Sequence, residues 1–320
     1  MAMTMQSGKT VLNIVKDEMA MGSEAAVLAM KSLKEASLAG KKTVLWMMAA
    51  PSGFTFYKSF VELAAQDKEF RQVLSATEFF QFDDYPVARS DHRFPITFRH
   101  LLETYFFGPL EKIVGRLPGK HLLEMTGTDS DARVIATYEE ALKNRLADAG
   151  TYVLEIKGIG MDGHWGFHGS ETPLQDPPRM MQVPMNRLNI QQQMLDWPQY
   201  FPNAEAVPRE AVTANVALFM QSDRVIDLVP QEGKAFAVLA TYGPKGISPL
   251  VPSSKLKDHP DSHAFLTEKA SWALREYVSG GKLTDEMVAR LKGIWKNDAN
   301  KELQRHNEHL MVEILLHVFG

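Results

Sequence analysis

Asp162 and His164 are spaced so that they could act together on a substrate. They lie two residues apart across Gly163, directly after a segment predicted to be a buried strand. A carboxylate and an imidazole at this spacing can line one cavity and shift each other's pKa, which suits general acid–base chemistry. Alternatively, Asp162 caps a turn and His164 bonds to the backbone, and the local sequence favours neither reading. A metal site is disfavoured because no third and fourth ligand accompany the pair.

A second acidic group, Asp83 and Asp84, follows another predicted strand. Because the carboxyl ends of parallel strands meet at one edge of a sheet, we expect these acids to face the same crevice as His164. A carboxylate there can abstract a proton from a carbon next to a carbonyl. The commoner role for either acid alone is to cap the next helix or to remain solvated.

Two further segments are candidates for binding an anion. Lys234 stands at the start of a predicted helix, where an ammonium and helix amides can jointly hold a phosphate, although a lysine there usually lies at the surface. Ser52 and Gly53 follow a predicted strand and form a similar, equally nonspecific candidate cradle.

The elements that must position these residues alternate between helix and strand along the chain. This alternation predicts an α/β fold, a three-layer αβα arrangement with a Rossmann-like, mostly parallel sheet. Strands are predicted at residues 43–48, 77–82, 152–156 and 225–229, with the sheet closing near Phe265. Helices are predicted at residues 22–39 (opened by Gly22-Ser23-Glu24), 54–65, 98–107, from a cap at Asp129 or Ser130 to about 150, and at 189–197 and 233–241.

The end of the chain has helical periodicity from about residue 282 to residue 320, which predicts appended C-terminal helices packed on the body. We find no repeat and no low-complexity linker, so residues 1–320 are expected to form a single domain.

Composition excludes several classes of function. The chain has 320 residues, no cysteine and a formal charge of −4, with no basic run that would suit nucleic acid or an anionic membrane. No signal peptide or transmembrane segment is predicted, so we expect a cytoplasmic protein whose partner is a small molecule.

Residues 158–163, Gly-Ile-Gly-Met-Asp-Gly, match the dinucleotide-binding pattern G-x-G-x-x-G in form. That pattern must open a long helix, whereas this segment continues into Trp165-Gly166 and then prolines. We therefore predict no dinucleotide and no other cofactor. The glycines are better explained by positive φ angles and close backbone approach at the end of a strand.

In chain order, four motifs resemble those of the glucosamine-6-phosphate deaminase and 6-phosphogluconolactonase superfamily, over about residues 25–274. Residues 158–164 followed by Phe167 are similar to its G-[IM]-G-x-D-G-H signature. Residues 80–85 look like the acidic strand-end motif of the deaminases. The other two matches are residues 207–213 with 233–235, and residues 254–260.

The resemblance implies a role for each matched residue. Asp83 would be the base that moves a proton between the first two sugar carbons, and His164, oriented by Asp162, would assist ring opening. Lys234 would hold the substrate phosphate. In a lactonase, His164 would instead activate water against an ester carbonyl.

The sequence departs from the superfamily pattern at two places. The deaminases carry an Asn-Glu pair after the Phe of the signature, and here that pair is His168-Gly169, which leaves Glu171 or His168 as candidate replacements for the relay glutamate. The phosphate loop is shortened to residues 50–54, and the position expected to hold a phosphate-binding arginine falls at Pro198 or Gln199.

Three functions remain open at this stage. The leading one is an aldose–ketose isomerase or deaminase acting on an amino-sugar phosphate or a close relative. The second is a sugar lactonase, and the third is a sugar-phosphate sensor without turnover, against which no helix-turn-helix with a basic face is found. The sequence leaves open which sugar is bound, whether it is phosphorylated, and whether the chain forms a homo-oligomer.

Overall fold

The computed structural model describes residues 3–295 and 301–319. Within these residues, eleven strands form an eight-stranded and a three-stranded sheet. The strands are β1 (Met3–Ser7), β2 (Thr10–Val15), β3 (Lys42–Met47), β4 (Glu78–Gln81), β5 (Asp83–Asp84), β6 (Gly119–His121), β7 (Thr151–Lys157), β8 (Met180–Pro184), β9 (Glu210–Ala214), β10 (Arg224–Val229) and β11 (Ser262–Thr267).

The large sheet has the strand order β1-β2-β11-β10-β7-β3-β4-β6, and every neighbouring pair except β1 and β2 is parallel. Five consecutive residues of β3, from Thr43 to Met47, are buried, which requires cover on both faces of the sheet. The predicted α/β fold with a mostly parallel sheet is confirmed. The small sheet has the order β5-β9-β8 and is antiparallel. Its strand β5 follows β4 of the large sheet after one residue.

Helices fill the connections between the strands. They are α1 (Glu18–Leu38), α2 (Phe54–Gln66), α3 (Lys68–Leu74), α4 (Phe98–Leu102), α5 (Gly108–Val114), α6 (Asp131–Ala147), α7 (Arg187–Asp196), α8 (Val216–Phe219), α9 (Ala235–Tyr242), α10 (Trp272–Gly280), α11 (Asp285–Ile294) and α12 (Lys301–Phe319). A π-helical turn, Glu103–Phe107, joins α4 to α5 where one helix had been predicted. None of the helices in the described ranges has the length and apolar composition to cross a membrane.

The predicted start of the first helix at residues 22–24 is wrong. The helix begins at Glu18, and the side chain of Asp17 caps it by accepting a hydrogen bond from the Ala20 amide at 3.0 Å. Gly22 lies inside the helix, where a Cβ atom would stand 2.5 Å from the carbonyl carbon of Thr55 in α2. The glycine therefore permits close approach of two helices and does not open one.

The predicted cap of α6 also differs in its details. Ser130 occupies the N-cap position, but its side chain makes no capping hydrogen bond. Instead Asp131 accepts hydrogen bonds from the Thr126 and Gly127 amides, at 2.7 and 2.9 Å, and so organises the loop before the helix. The hairpin of β1 and β2, helix α3 and strand β6 have no counterpart among the predicted elements.

The C-terminal helices pack on the body as predicted, although residues 296–300 and 320 of the predicted region lie outside the described residues. Leu291 and Ile314 belong to a hydrophobic cluster that also contains Met161 and Phe236. In addition, the buried Asn307 of α12 donates a hydrogen bond from Nδ2 to Oε1 of Gln191 in α7, at 2.6 Å. The C-terminal helices thus support α7 and the loop that carries Asp162.

We expect Gly22→Ala to lower the free energy of unfolding by about 1–3 kcal/mol, because the added methyl group forces α1 away from α2. In an open helix the same change would stabilise by roughly 1 kcal/mol. Gly280→Ala is the matched control, since nothing lies within 4 Å of a Cβ atom at that position. Urea unfolding of the two variants measures the difference, and equal stability would contradict the close approach of the helices.

Candidate active site

A cleft at the carboxyl ends of β3, β4 and β7 collects four of the residues predicted from the sequence. Asp83, His164, Ser52 and Lys234 all line it. They come from four separate segments that follow or flank the central strands, as expected for ligand sites in open parallel sheets. The structure thus brings Asp83 and His164, which were expected to face one crevice, together with the two anion-binding candidates Ser52 and Lys234.

The loop after β7 folds back on itself so that its histidine lies against its own glycine. The Gly160 amide donates to the His164 carbonyl at 3.1 Å, and the Gly163 amide donates to the Gly160 carbonyl at 3.0 Å. Gly163 has a φ of +86°. A Cβ atom on Gly160 would lie 1.9 Å from the imidazole of His164. The loop therefore needs glycine for both of the reasons that the sequence suggested, positive φ and close approach.

Asp162 and His164 form a buried hydrogen-bonded pair. Oδ1 of Asp162 lies 2.6 Å from Nδ1 of His164, and it also accepts the His164 amide at 3.1 Å. Burial alone would raise the pKa of Asp162, but the charge and hydrogen bonds of His164, with a hydrogen bond from Asn186, lower it to about 2. Asp162 is thus an ionised carboxylate that fixes the ring, which leaves Nε2 of His164 as the nitrogen available to the cleft.

Asn186 connects this pair to two other parts of the molecule. Its Nδ2 donates to Oδ2 of Asp162 at 3.2 Å and to Oε1 of Glu171 at 3.4 Å. Its Oδ1 caps α7 by accepting the Asn189 amide at 2.8 Å. Within the described residues, Glu171 is linked to His164 through Asn186 and Asp162. An Asn before a predicted helix signals a cap, but nothing in the sequence signals the contact with Asp162.

His168, the other candidate replacement for the relay glutamate, is committed to the backbone. It is fully buried, its Nδ1 accepts the Val216 amide at 3.0 Å, and its Nε2 lies 3.0 Å from the Thr172 carbonyl. Burial lowers its pKa to about 4. A neutral imidazole with both nitrogens occupied, outside the cleft lining, holds the loop and has no free nitrogen for a substrate.

Asp84 and Asp83 are adjacent, yet the structure gives them different surroundings. Asp84 accepts four hydrogen bonds, from Gln81 Nε2 and from the amides of Tyr85, Phe98 and Arg99, at 2.6–3.0 Å. Burial raises its pKa to about 6, and these hydrogen bonds oppose the rise. Asp84 therefore caps α4, which is the commoner role expected for an acid at this position, and it does not line the cleft.

Asp83 lines the cleft and is only 4% exposed. Its Oδ1 has no hydrogen-bond partner among the described residues. Burial first, and then the neighbouring charge of Asp84, raise the pKa of Asp83 well above its usual range. A carboxyl with an unpartnered oxygen and a raised pKa is suited to exchanging protons with a bound molecule.

In the predicted anion-binding segment at Ser52 and Gly53, most of the hydrogen-bond donors already have partners within the protein. The Gly53 amide donates to the Ala50 carbonyl at 2.8 Å, and the Phe54 amide donates to the Pro51 carbonyl. Pro51 has no N–H. The Ser52 hydroxyl donates to Oε1 of Gln231 at 3.2 Å. The segment lies in the cleft wall, but it offers few free donors there.

Lys234 is buried, unlike the surface lysine that its position would ordinarily suggest. It belongs to the 3-10 turn Glu232–Lys234 before α9, and its Nζ donates to the Ile159 carbonyl at 2.7 Å. Burial lowers its pKa to about 8, against the opposing charges of Asp196 and Asp162. The ammonium thus stabilises the loop after β7 and also lines the cleft.

Nothing in the sequence indicated that α7 forms one wall of the cleft. Four cleft-lining residues come from this helix and its C-cap, namely Gln192, Gln193, Asp196 and Trp197. Pro198 and Gln199, where a phosphate-binding arginine was expected, are exposed and do not line the cleft. No group of three or more His, Asp or Glu side chains in the described part of the chain is arranged to hold a metal ion.

No protein-family model matches the sequence. Glucosamine-6-phosphate deaminase of Streptomyces avermitilis is 28% identical over 242 residues, which cover 75% of this chain and 85% of the relative. The deaminase of Thermoanaerobacter pseudethanolicus is 24% identical over 265 residues, covering 82% and 94%.

Solved structures of a deaminase and of a 6-phosphogluconolactonase have a similar fold. A monomeric glucosamine-6-phosphate deaminase superposes with a TM-score of 0.67 at 20% identity, covering 82% of this chain and 98% of that structure. The 6-phosphogluconolactonase of Thermotoga maritima gives 0.58 at 15% identity, covering 81% and 100%. The chain is therefore similar in sequence to glucosamine-6-phosphate deaminases, and it shares its fold with a deaminase and with a 6-phosphogluconolactonase. The relatives in sequence are named as enzymes, which supports an enzymatic role for this protein.

Asp83→Asn is expected to stabilise the protein increasingly as the pH rises. The folded state keeps a proton on Asp83 at pH values where the unfolded chain, with a carboxyl pKa of about 4, has released it. Folded protein then binds more protons than unfolded protein, so the stability of wild type falls as pH rises above that value. Asparagine removes this loss, so we expect the stability of the variant relative to wild type to increase from about pH 4 to neutral pH.

Asp84→Asn is the matched control for that variant. It replaces one acceptor oxygen by a donor in front of four donors, so we expect a loss of about 1–3 kcal/mol. Denaturant unfolding of both variants and wild type at several pH values makes the test. A pH-independent effect of Asp83→Asn would contradict the raised pKa of Asp83.

Proposed function

We propose that this protein moves a proton between C1 and C2 of an amino-sugar phosphate or a close relative of that sugar, as an aldose–ketose isomerase or deaminase. The observation that carries this proposal is the unpartnered carboxyl oxygen of Asp83 in the cleft that also holds the Asp162–His164 pair. One acid–base group is needed to open the sugar ring and another to carry a proton between carbons, and the cleft supplies two with separate surroundings.

The roles follow from those surroundings. His164, held by ionised Asp162, exchanges a proton through Nε2 with the ring oxygen and the C1 hydroxyl, which opens the ring. Asp83, once ionised, removes the proton from C2 and returns it to C1. With an amino group on C2, the resulting ketose imine adds water at C2 and releases ammonia. Without that group, the product is the ketose itself.

A lactonase is the second candidate, and the raised pKa of Asp83 is the observation that favours it. A carboxyl that holds its proton at neutral pH is a weaker base, whereas the Asp162–His164 pair is ready to activate water. Water then attacks the ester carbonyl, the ring oxygen leaves, and His164 returns the proton to it. This reaction does not need Asp83.

Two variants separate these functions. For the isomerase or deaminase, we expect Asp83→Asn and His164→Gln each to lower kcat by about 10²–10⁴-fold, since each removes an acid–base group. The measurement is ammonia release with ketose formation over hexosamine 6-phosphates and the matching free sugars. For the lactonase, only His164→Gln would abolish hydrolysis of sugar lactones.

Asp129→Asn serves as the control, because Asp129 is exposed and lies outside the cleft. It should retain wild-type rates. If wild-type protein turns over none of these sugars, the isomerase and deaminase proposal is wrong. Binding without turnover would then support a sensor.

A further inference from the structure

The cleft is poorly equipped with positive charge. Among the described residues that line it, Lys234 is the one Lys or Arg side chain. Its ammonium already donates to the Ile159 carbonyl at 2.7 Å and lies in the field of the Asp196 carboxylate. A phosphate dianion is usually held by several cations or charge-assisted donors. This cleft offers it one partly neutralised cation.

The loop that would cradle a phosphate does not compensate. The amides of Gly53 and Phe54 are bonded within the turn, Pro51 has none, and the Ser52 hydroxyl is directed to Gln231. Of the N–H groups from residue 51 to residue 54, only that of Ser52 has no backbone partner in this turn. The short 3-10 turn thus consumes the donors that an open anion-binding loop would keep free.

Helix α7 adds a carboxylate to the same wall. Gln192 accepts the Met161 amide on its Oε1 at 3.2 Å, and Asp196, one turn further along the helix, lines the same cleft. Burial raises the pKa of Asp196, and the charge of Lys234 with a hydrogen bond from Gln192 opposes that rise. Gln193 and Trp197 line the cleft beside it. A carboxylate repels phosphate but accepts hydrogen bonds from hydroxyl groups, and an aromatic ring packs on the C–H face of a sugar.

We propose that the substrate is an unphosphorylated sugar whose hydroxyl groups bind Asp196 and Gln193, while a sugar face packs on Trp197. This proposal rests on the function proposed above, in which C1 and C2 of the sugar lie at His164 and Asp83. It makes Asp196 a specificity-determining residue, since its charge opposes a phosphate at the site where Lys234 alone would attract one.

Isothermal titration calorimetry with D-glucosamine and D-glucosamine 6-phosphate tests the proposal without requiring turnover. We expect wild type to bind the free sugar at least tenfold more tightly than its 6-phosphate. Asp196→Asn should weaken the free sugar several-fold and strengthen the 6-phosphate, because it removes a hydroxyl acceptor together with a repelling charge. Asp129→Asn makes the same chemical change outside the cleft and should alter neither affinity.

The outcomes separate this proposal from the proposed reaction. Tighter binding of the 6-phosphate, binding of neither sugar, or an Asp196→Asn variant that treats both sugars as wild type does, would overturn the unphosphorylated substrate. Free glucosamine that binds in an Asp196-dependent way but is not converted would uphold this inference and count against the reaction. Asp83-dependent conversion with a lower KM for the 6-phosphate would do the reverse.

Discussion

The imidazole of His164 occupies the space in which any residue other than glycine at position 160 would place its side chain. The candidate site depends on this contact, because it folds the loop after β7 into a tight turn. The turn sets the ring beside the Asp162 carboxylate and directs its second nitrogen into the cleft. Asn186, the N-cap of α7, donates a hydrogen bond to Asp162 and so connects the pair to α7. Asn307 of α12 in turn donates to Gln191 of α7. The position of the Asp162–His164 pair therefore depends both on Gly160 within the loop and on α12, which is distant in the sequence.

The strands beneath this loop carry a network of buried ionisable side chains that contacts Trp165, the residue after His164. Lys157 and Asp227, both fully buried, lie 3.3 Å apart on neighbouring strands, and the Lys157 ammonium stands 4.6 Å from the ring centre of Trp165. The Trp165 indole donates to Glu155 at 2.9 Å, as does the Ser222 hydroxyl. Burial raises the pKa of Glu155 to about 8. Because breaking a buried pair costs several kcal/mol, this network resists displacement of the residue that follows His164.

Much of this arrangement could be predicted from the sequence, because strand ends are local signals. Buried apolar runs located β3, β7 and β10, and the rule that ligands bind at the carboxyl edge of a parallel sheet placed Asp83 and His164 in one crevice. The pattern could not say which of two adjacent acids enters the cleft. That choice depends on α4, because its first two amides donate to Asp84, whereas Asp83 lines the cleft. Asn186 and the α7 wall were missed for the same reason, since their roles exist only after tertiary packing.

In the proposed reaction, Asp83 exchanges a proton with C2 of the bound sugar. Once the proton that Asp83 takes from C2 exchanges with solvent, incubation of the protein with D-glucosamine, or its 6-phosphate, in D2O should place deuterium at C1 of the ketose product. The reverse step should place deuterium at C2 of the recovered sugar, and NMR detects both positions. Wild type and Asp129→Asn should incorporate deuterium at the same rate, and Asp83→Asn should show none above the protein-free background. Undiminished exchange in Asp83→Asn, or no exchange by wild type with a sugar that it binds, would contradict this account of the cleft.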